Sequence, residues 1–172
     1  MSALQEGVYF IRNRKTKTLV TADLSTPNPK LVGSKFSFDD INQQLFSLKK
    51  IGQDNTYLIT HVNTGRVVDL YGGIAADETP IITFPAHYGA NQQWEISTSS
   101  NAYKIKSKSS GKLVDLFGSN EKDGTAIINY TDAGGENQLW EFKRVGSCKF
   151  ITPPSICEYP AMVLTPMETF LR

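Results

Sequence analysis

Cysteine is almost missing from this chain of 172 residues: there are two, Cys148 and Cys157, and none before them. A disulfide framework or cysteine-bound zinc for the main body is thereby excluded, so its fold must rest on packing. Surplus charge is missing as well. Lys+Arg 18 against Asp+Glu 17 leave a formal net charge of +1, which offers no field to gather a nucleic acid or an anionic membrane. No apolar run approaches the roughly 18 residues of a membrane-spanning helix, so membrane insertion is not expected. The opening MSALQEGVYF lacks the basic and apolar segments of a secretory leader and predicts a cytoplasmic protein. Histidine occurs twice, and zinc-ligand spacing, phosphate loops and the G-x-S-x-G elbow are missing from the sequence. The expectation is a protein with no metal, no cofactor and no catalytic residues, hence not an enzyme.

What the chain does have is a repeat. Thr64-Gly65-Arg66-Val67-Val68-Asp69-Leu70-Tyr71-Gly72 returns 46 positions later as Ser110-Gly111-Lys112-Leu113-Val114-Asp115-Leu116-Phe117-Gly118. The downstream halves stay in step, Asn91-Gln92-Gln93-Trp94 matching Asn137-Gln138-Leu139-Trp140. A weaker first copy pairs Tyr9-Phe10-Ile11 with Tyr57-Leu58-Ile59 and sets Leu45 against Trp94. Within each unit, short apolar runs alternate with polar residues at period 2 and are separated by turn formers such as Asn63-Thr64-Gly65. That pattern predicts about four strands per unit. Such units bury little alone, so the expected fold class is all-β, with three units of about 46 residues closing on one shared core. The predicted division is residues 1–145 for the repeats and 146–172 for a C-terminal extension.

Three units ending in Asn-Gln-x-Trp or its remnant, the second and third with a Val-Asp-Leu strand end and a Gly-rich turn, resemble the ricin B-chain type β-trefoil lectins. The run TGRVVDLYGG followed by PIITFPAHYGANQQW is most similar, within that family, to the small cytosolic lectins of mushrooms. The resemblance implies a β-trefoil that binds terminal galactose or N-acetylgalactosamine on glycans. It assigns Asp69 and Asp115 to paired sugar hydroxyls, Phe84 and Tyr130 to a stacking platform, and Asn91 and Asn137 to completing each site. Gly72 and Gly118 would bring backbone N–H groups close to the sugar, and His87 joins the second-repeat site as a contact. Both aspartates are expected to be exposed. Gln92, Trp94, Gln138 and Trp140 read as structural: an indole supplies core area and an amide satisfies backbone groups.

The first repeat departs from the pattern. Thr21 stands where Asp69 does, Asp23 comes two residues late, and Ser34 or Phe36 takes the platform position, depending on the gap. Two sites are therefore expected, with the first repeat degenerate. A glycosidase needs two carboxylates within about 5–10 Å, whereas Asp69 and Asp115 occupy equivalent points of different units. Asn129-Tyr130-Thr131 is a glycosylation sequon on the expected third-repeat site. Residues 146–172 carry both cysteines and four of the eight prolines, and are rich in apolar residues. Such a segment is expected to dock, either on its own barrel or as a homodimer contact. The alternative function is a β-trefoil protease inhibitor, its loop Leu24–Lys30 stiffened by Pro27 and Pro29.

Overall fold

The computed structural model describes residues 4–148 and 157–158. The first repeat forms β1 (Gly7–Asn13), β2 (Leu19–Asp23), β3 (Lys30–Ser34) and β4 (Phe46–Lys50). The second forms β5 (Thr56–His61), β6 (Val67–Leu70), β7 (Thr79–Phe84) and β8 (Trp94–Ser99). The third forms β9 (Ala102–Ser107), β10 (Leu113–Leu116), β11 (Thr125–Tyr130) and β12 (Trp140–Cys148). A two-residue β13 (Cys157–Glu158) pairs with the end of β12. Among the described residues, helix is limited to five single 3-10 turns.

The outer strands of the units close a six-stranded barrel. β1 pairs β4, β4 pairs β5, β5 pairs β8, β8 pairs β9, β9 pairs β12, and β12 returns to β1. The inner hairpins β2–β3, β6–β7 and β10–β11 cap one end and join through β3–β7, β7–β11 and β11–β3. This is a β-trefoil, in which threefold closure leaves no long open edge.

The core is built in triplets. Val20, Val68 and Val114 are equivalent, as are Leu31, Ile81 and Ile127, and Ile11, Ile59 and Ile105; all are buried in one cluster. Trp94 and Trp140 are fully buried, and each indole Nε1 donates at 3.0 Å to the carbonyl of Val68 or Val114, the residue before the motif aspartate. The tryptophans therefore anchor the cap strands to the barrel. In the first repeat the sheet register corrects the alignment: Tyr9 pairs Phe46 as Tyr57 pairs Trp94, so Phe46 and not Leu45 holds the tryptophan position. Leu45 belongs to a separate apolar cluster with Val8, Phe10, Leu19 and Val145. The slip arises because Asn42-Gln43-Gln44 copies Asn91-Gln92-Gln93 one residue out of register, whereas Gln44-Leu45-Phe46 is the counterpart of Gln92-Gln93-Trp94.

β12 runs on through Cys148, across the 145/146 division expected from the sequence. The apolar side chains expected to dock, and the homodimer contact assigned to them, lie outside the described residues.

Candidate functional site

Each cap hairpin presents a strand-end aspartate beside a tight turn. In the second repeat Asp69 pairs with Ile82 across β6–β7, two residues inward from the Val67–Phe84 pair. Asp115 pairs with Ile128, and Leu113 with Tyr130, in the same register. Asp and ring thus sit two residues apart along the cap, on one face by the period-2 rule. The turns that follow hold Gly72 and Gly118 at φ 60°, a left-handed conformation suited to glycine.

The aspartates are not exposed as expected: Asp69 is 2% and Asp115 5% accessible. They are held from behind by the amides that open the next barrel strand. Asn91 Nδ2 donates to both oxygens of Asp69 at 3.1 Å, and Gln92 Nε2 donates to Oδ2 at 2.8 Å. Asn137 Nδ2 donates to Asp115 at 2.9 Å. Burial raises the Asp115 pKa, with the Gln138 and Asn137 amides pulling the other way. A buried carboxylate held by neighbouring amides is an acceptor of fixed position.

Gln92 and Gln138 tie the loop to the site. Gln92 Oε1 accepts the backbone N–H groups of His87 and Tyr88, while its Nε2 also donates to the Pro85 carbonyl. Gln138 Oε1 accepts from Ala133 N, and its Nε2 donates to Thr131 O. His87 is brought in: its Nδ1 accepts from Gly89 N at 3.2 Å, which leaves Nε2 facing Asp69 Oδ2 at 3.4 Å. Its ring meets Phe84 edge-on at 6.3 Å. The third repeat has Ala133 there. Phe84 is 36% exposed, and Tyr130 is half-buried.

The third-repeat site is a cavity of about 280 Å³ lined by Asp115, Gly118, Tyr130, Asn137, Phe117 and Glu78 among others. Glu78 belongs to the second repeat and was missed, because the loop between β6 and β7 walls the site of the following unit. The one trace in the sequence is its mismatch with Gly124, 46 positions on.

In the first repeat, register settles the gap. Thr21 pairs Val32 and Leu19 pairs Ser34, so Thr21 and Ser34 occupy the aspartate and platform positions. Gln44 Nε2 donates to Thr21 Oγ1 at 3.1 Å, as Gln92 does to Asp69. A cleft of about 340 Å³ persists there, lined by Thr21, Ser34, Gln44, Asp23 and Phe36 among others. The Phe36 ring packs edge-on against Phe10 and Phe38. The sequon is occupied by the fold: Asn129 is 1% accessible, donates Nδ2 to Ala76 O at 3.1 Å and accepts from Ser110 Oγ.

The sequence matches the ricin-type beta-trefoil lectin domain-like family over residues 2–84 and 90–153, and the chain belongs to that family. Three solved structures are similar to it. The designed threefold-symmetric protein ThreeFoil is 24% identical, with a TM-score of 0.74 over 79% of this chain and 97% of its own. The Polyporus squamosus lectin, bound to a human-type influenza-binding epitope Neu5Acα2-6Galβ1-4GlcNAc, is 28% identical at a TM-score of 0.75 over 86% of this chain. This chain spans 52% of that lectin's length. The Macrolepiota procera ricin B-like lectin in complex with lactose is 19% identical, with a TM-score of 0.72 over 83% of this chain and 99% of its own. A comparison with curated protein sequences finds no match.

Proposed function

We propose that the protein is a non-catalytic lectin that binds terminal galactose or N-acetylgalactosamine of glycans at two sites, one in the second repeat and one in the third. The observation that carries this reading is the twice-built set of a buried, amide-held aspartate, an accessible ring two residues along the cap and a left-handed glycine turn. A galactose presents one face of C–H groups and a rim of hydroxyls. A ring stacks on the first and a directed carboxylate accepts from the second. Packing alone gives no reason to keep a phenylalanine at 36% exposure beside a buried carboxylate. The lactose and Neu5Acα2-6Galβ1-4GlcNAc ligands of two similar lectins both contain galactose, which supports the same sugar class.

Asp69 and Asp115 lie in different hairpins and each is tied to its own asparagine, which disfavours an acid–base pair between them. A protease inhibitor has no use for the duplicated set. Each site buries few atoms, so lactose should bind at roughly 0.1–1 mM. Calorimetry with lactose and N-acetylgalactosamine against glucose tests the proposal; equal response to all three, or to none, rejects it. Incubation with 4-nitrophenyl β-galactoside should release no nitrophenol.

A further inference from the structure

The three loops that wall the sites are equivalent by register, because Leu31, Ile81 and Ile127 pair Ala22, Leu70 and Leu116 in turn. Three residues before each stand Asn28, Glu78 and Gly124. Gly124 has φ 83° and Glu78 φ 66°. Glutamate therefore occupies a left-handed backbone position that the third repeat gives to glycine, and a side chain there is strained. The backbone is held there by the Glu78 N–H bond to Asn129 O at 2.9 Å, matched by Gly124 N–H to Gly33 O at 3.1 Å, so the fold fixes the conformation but gives no use for the side chain. The Glu78 side chain makes no hydrogen bond or ion pair among the described residues, whereas its neighbour Asp77 is engaged by Lys112 Nζ and Thr131. A strained residue with an unpartnered charge at the wall of a ligand cavity points to function.

The position also adds charge to the third-repeat site. Glu78 and Asp115 both line the third-repeat cavity, and among the described residues no lysine or arginine lines it. In the second repeat the equivalent loop offers neutral Asn28, contacted by the guanidinium of Arg66, and His87 faces Asp69.

We propose that Glu78 is a specificity-determining residue that restricts the third-repeat site to uncharged sugars and turns away galactosides bearing a sulfate or carboxylate. This deepens, and rests on, the carbohydrate reading above. A sulfate placed on the galactose would come within several ångströms of the Glu78 carboxylate. At that range like charges near a protein surface repel enough to weaken binding roughly three- to tenfold, and salt screens the effect.

The test titrates lactose and 3′-sulfolactose into the full-length protein, reading the amide signals of Gly118 and Gly72 as separate reporters of the two sites. At Gly118 the sulfated sugar should bind roughly three- to tenfold more weakly than lactose, with the gap narrowing as salt is raised. In Glu78→Gln, which keeps the shape and removes the charge, the ratio of the two affinities should fall below about twofold. Glu78→Gly, which copies Gly124, should behave alike. An unchanged ratio in both variants, or no discrimination in the wild type, overturns the inference while leaving the lectin reading intact. If lactose moves neither reporter, the lectin reading itself fails, and the inference with it.

Discussion

Replacing the two motif aspartates separately should have unequal effects on stability. Asp69→Ala and Asp115→Ala remove carboxylates that are almost equally buried, at 2% and 5% accessibility, so the desolvation relieved is nearly common to both. What differs is the set of donors left behind. After Asp69→Ala, Asn91 Nδ2 keeps only a 3.5 Å contact with Leu70 O, and Gln92 Nε2 loses a 2.8 Å bond while retaining Pro85 O. After Asp115→Ala, Asn137 Nδ2 still reaches Leu116 O at 3.2 Å and Gln138 Nε2 keeps Thr131 O at 2.8 Å. The Gln138 amide also acts on Asp115 but less closely than Gln92 on Asp69 at 2.8 Å, so the difference is at most about one hydrogen bond to a charged group, with an upper end of roughly 1.5–3 kcal/mol. For a chain of this size that separates the two melting temperatures by roughly 3–12 °C, with Asp69→Ala the lower. Urea unfolding should give the same order with unchanged m-values. Each variant should lose lactose binding only at its own repeat, read at Gly72 or Gly118. Equal melting temperatures, or a lower one for Asp115→Ala, would refute the view that amide donors hold the second site more tightly than the third.

Because burial raises the Asp115 pKa above its ordinary 3.8, its protonation on acidification should empty the third-repeat site early; full lactose affinity retained down to pH 3.8 would contradict this. The sign for stability is the reverse of the usual aspartate: this contribution is complete below 3.8 and is lost as pH rises through the raised value, so the charged form costs stability near neutrality. His61 is fully buried, with Nε2 donating to Asn42 O and Nδ1 accepting from Thr64 Oγ1, and burial lowers its pKa from 6.5. The unfolded chain then takes up the proton first, so stability is intact above 6.5 and declines as pH falls below it. His61→Gln should flatten that decline in urea midpoints; an unaltered slope would assign it elsewhere. Phe84→Ala removes a ring that is 36% exposed, so it should cost under about 1.5 kcal/mol of stability yet weaken lactose at Gly72 by roughly tenfold or more; a large stability loss with binding retained would make the ring structural.

Much of this protein was legible in one dimension. The 46-residue offset carries the trefoil because each repeat places the same apolar residues at the same strand positions, and three copies of one half-buried unit can complete a core only by closing on each other. Asp69, Phe84, Asn91 and their third-repeat partners were found together because a local hairpin and the strand after it hold the whole set. The register of the first repeat was not legible, since Asn42-Gln43-Gln44-Leu45 copies Asn91-Gln92-Gln93-Trp94 one residue out of step, and only pairing with Tyr9 decides between Leu45 and Phe46. Burial of the aspartates was hidden too: a carboxylate before a glycine turn looks solvent-facing until the amides of Asn91, Gln92 and Asn137 fold over its back. Asn129 reads as a glycan acceptor until the hairpin cap engages both ends of its amide. Glu78 joins Asp115 from another repeat, because the cap hairpins pack in a ring and each site borrows a wall from its predecessor. Periodicity reports what each unit does for itself; contacts between units exist only once the barrel has closed.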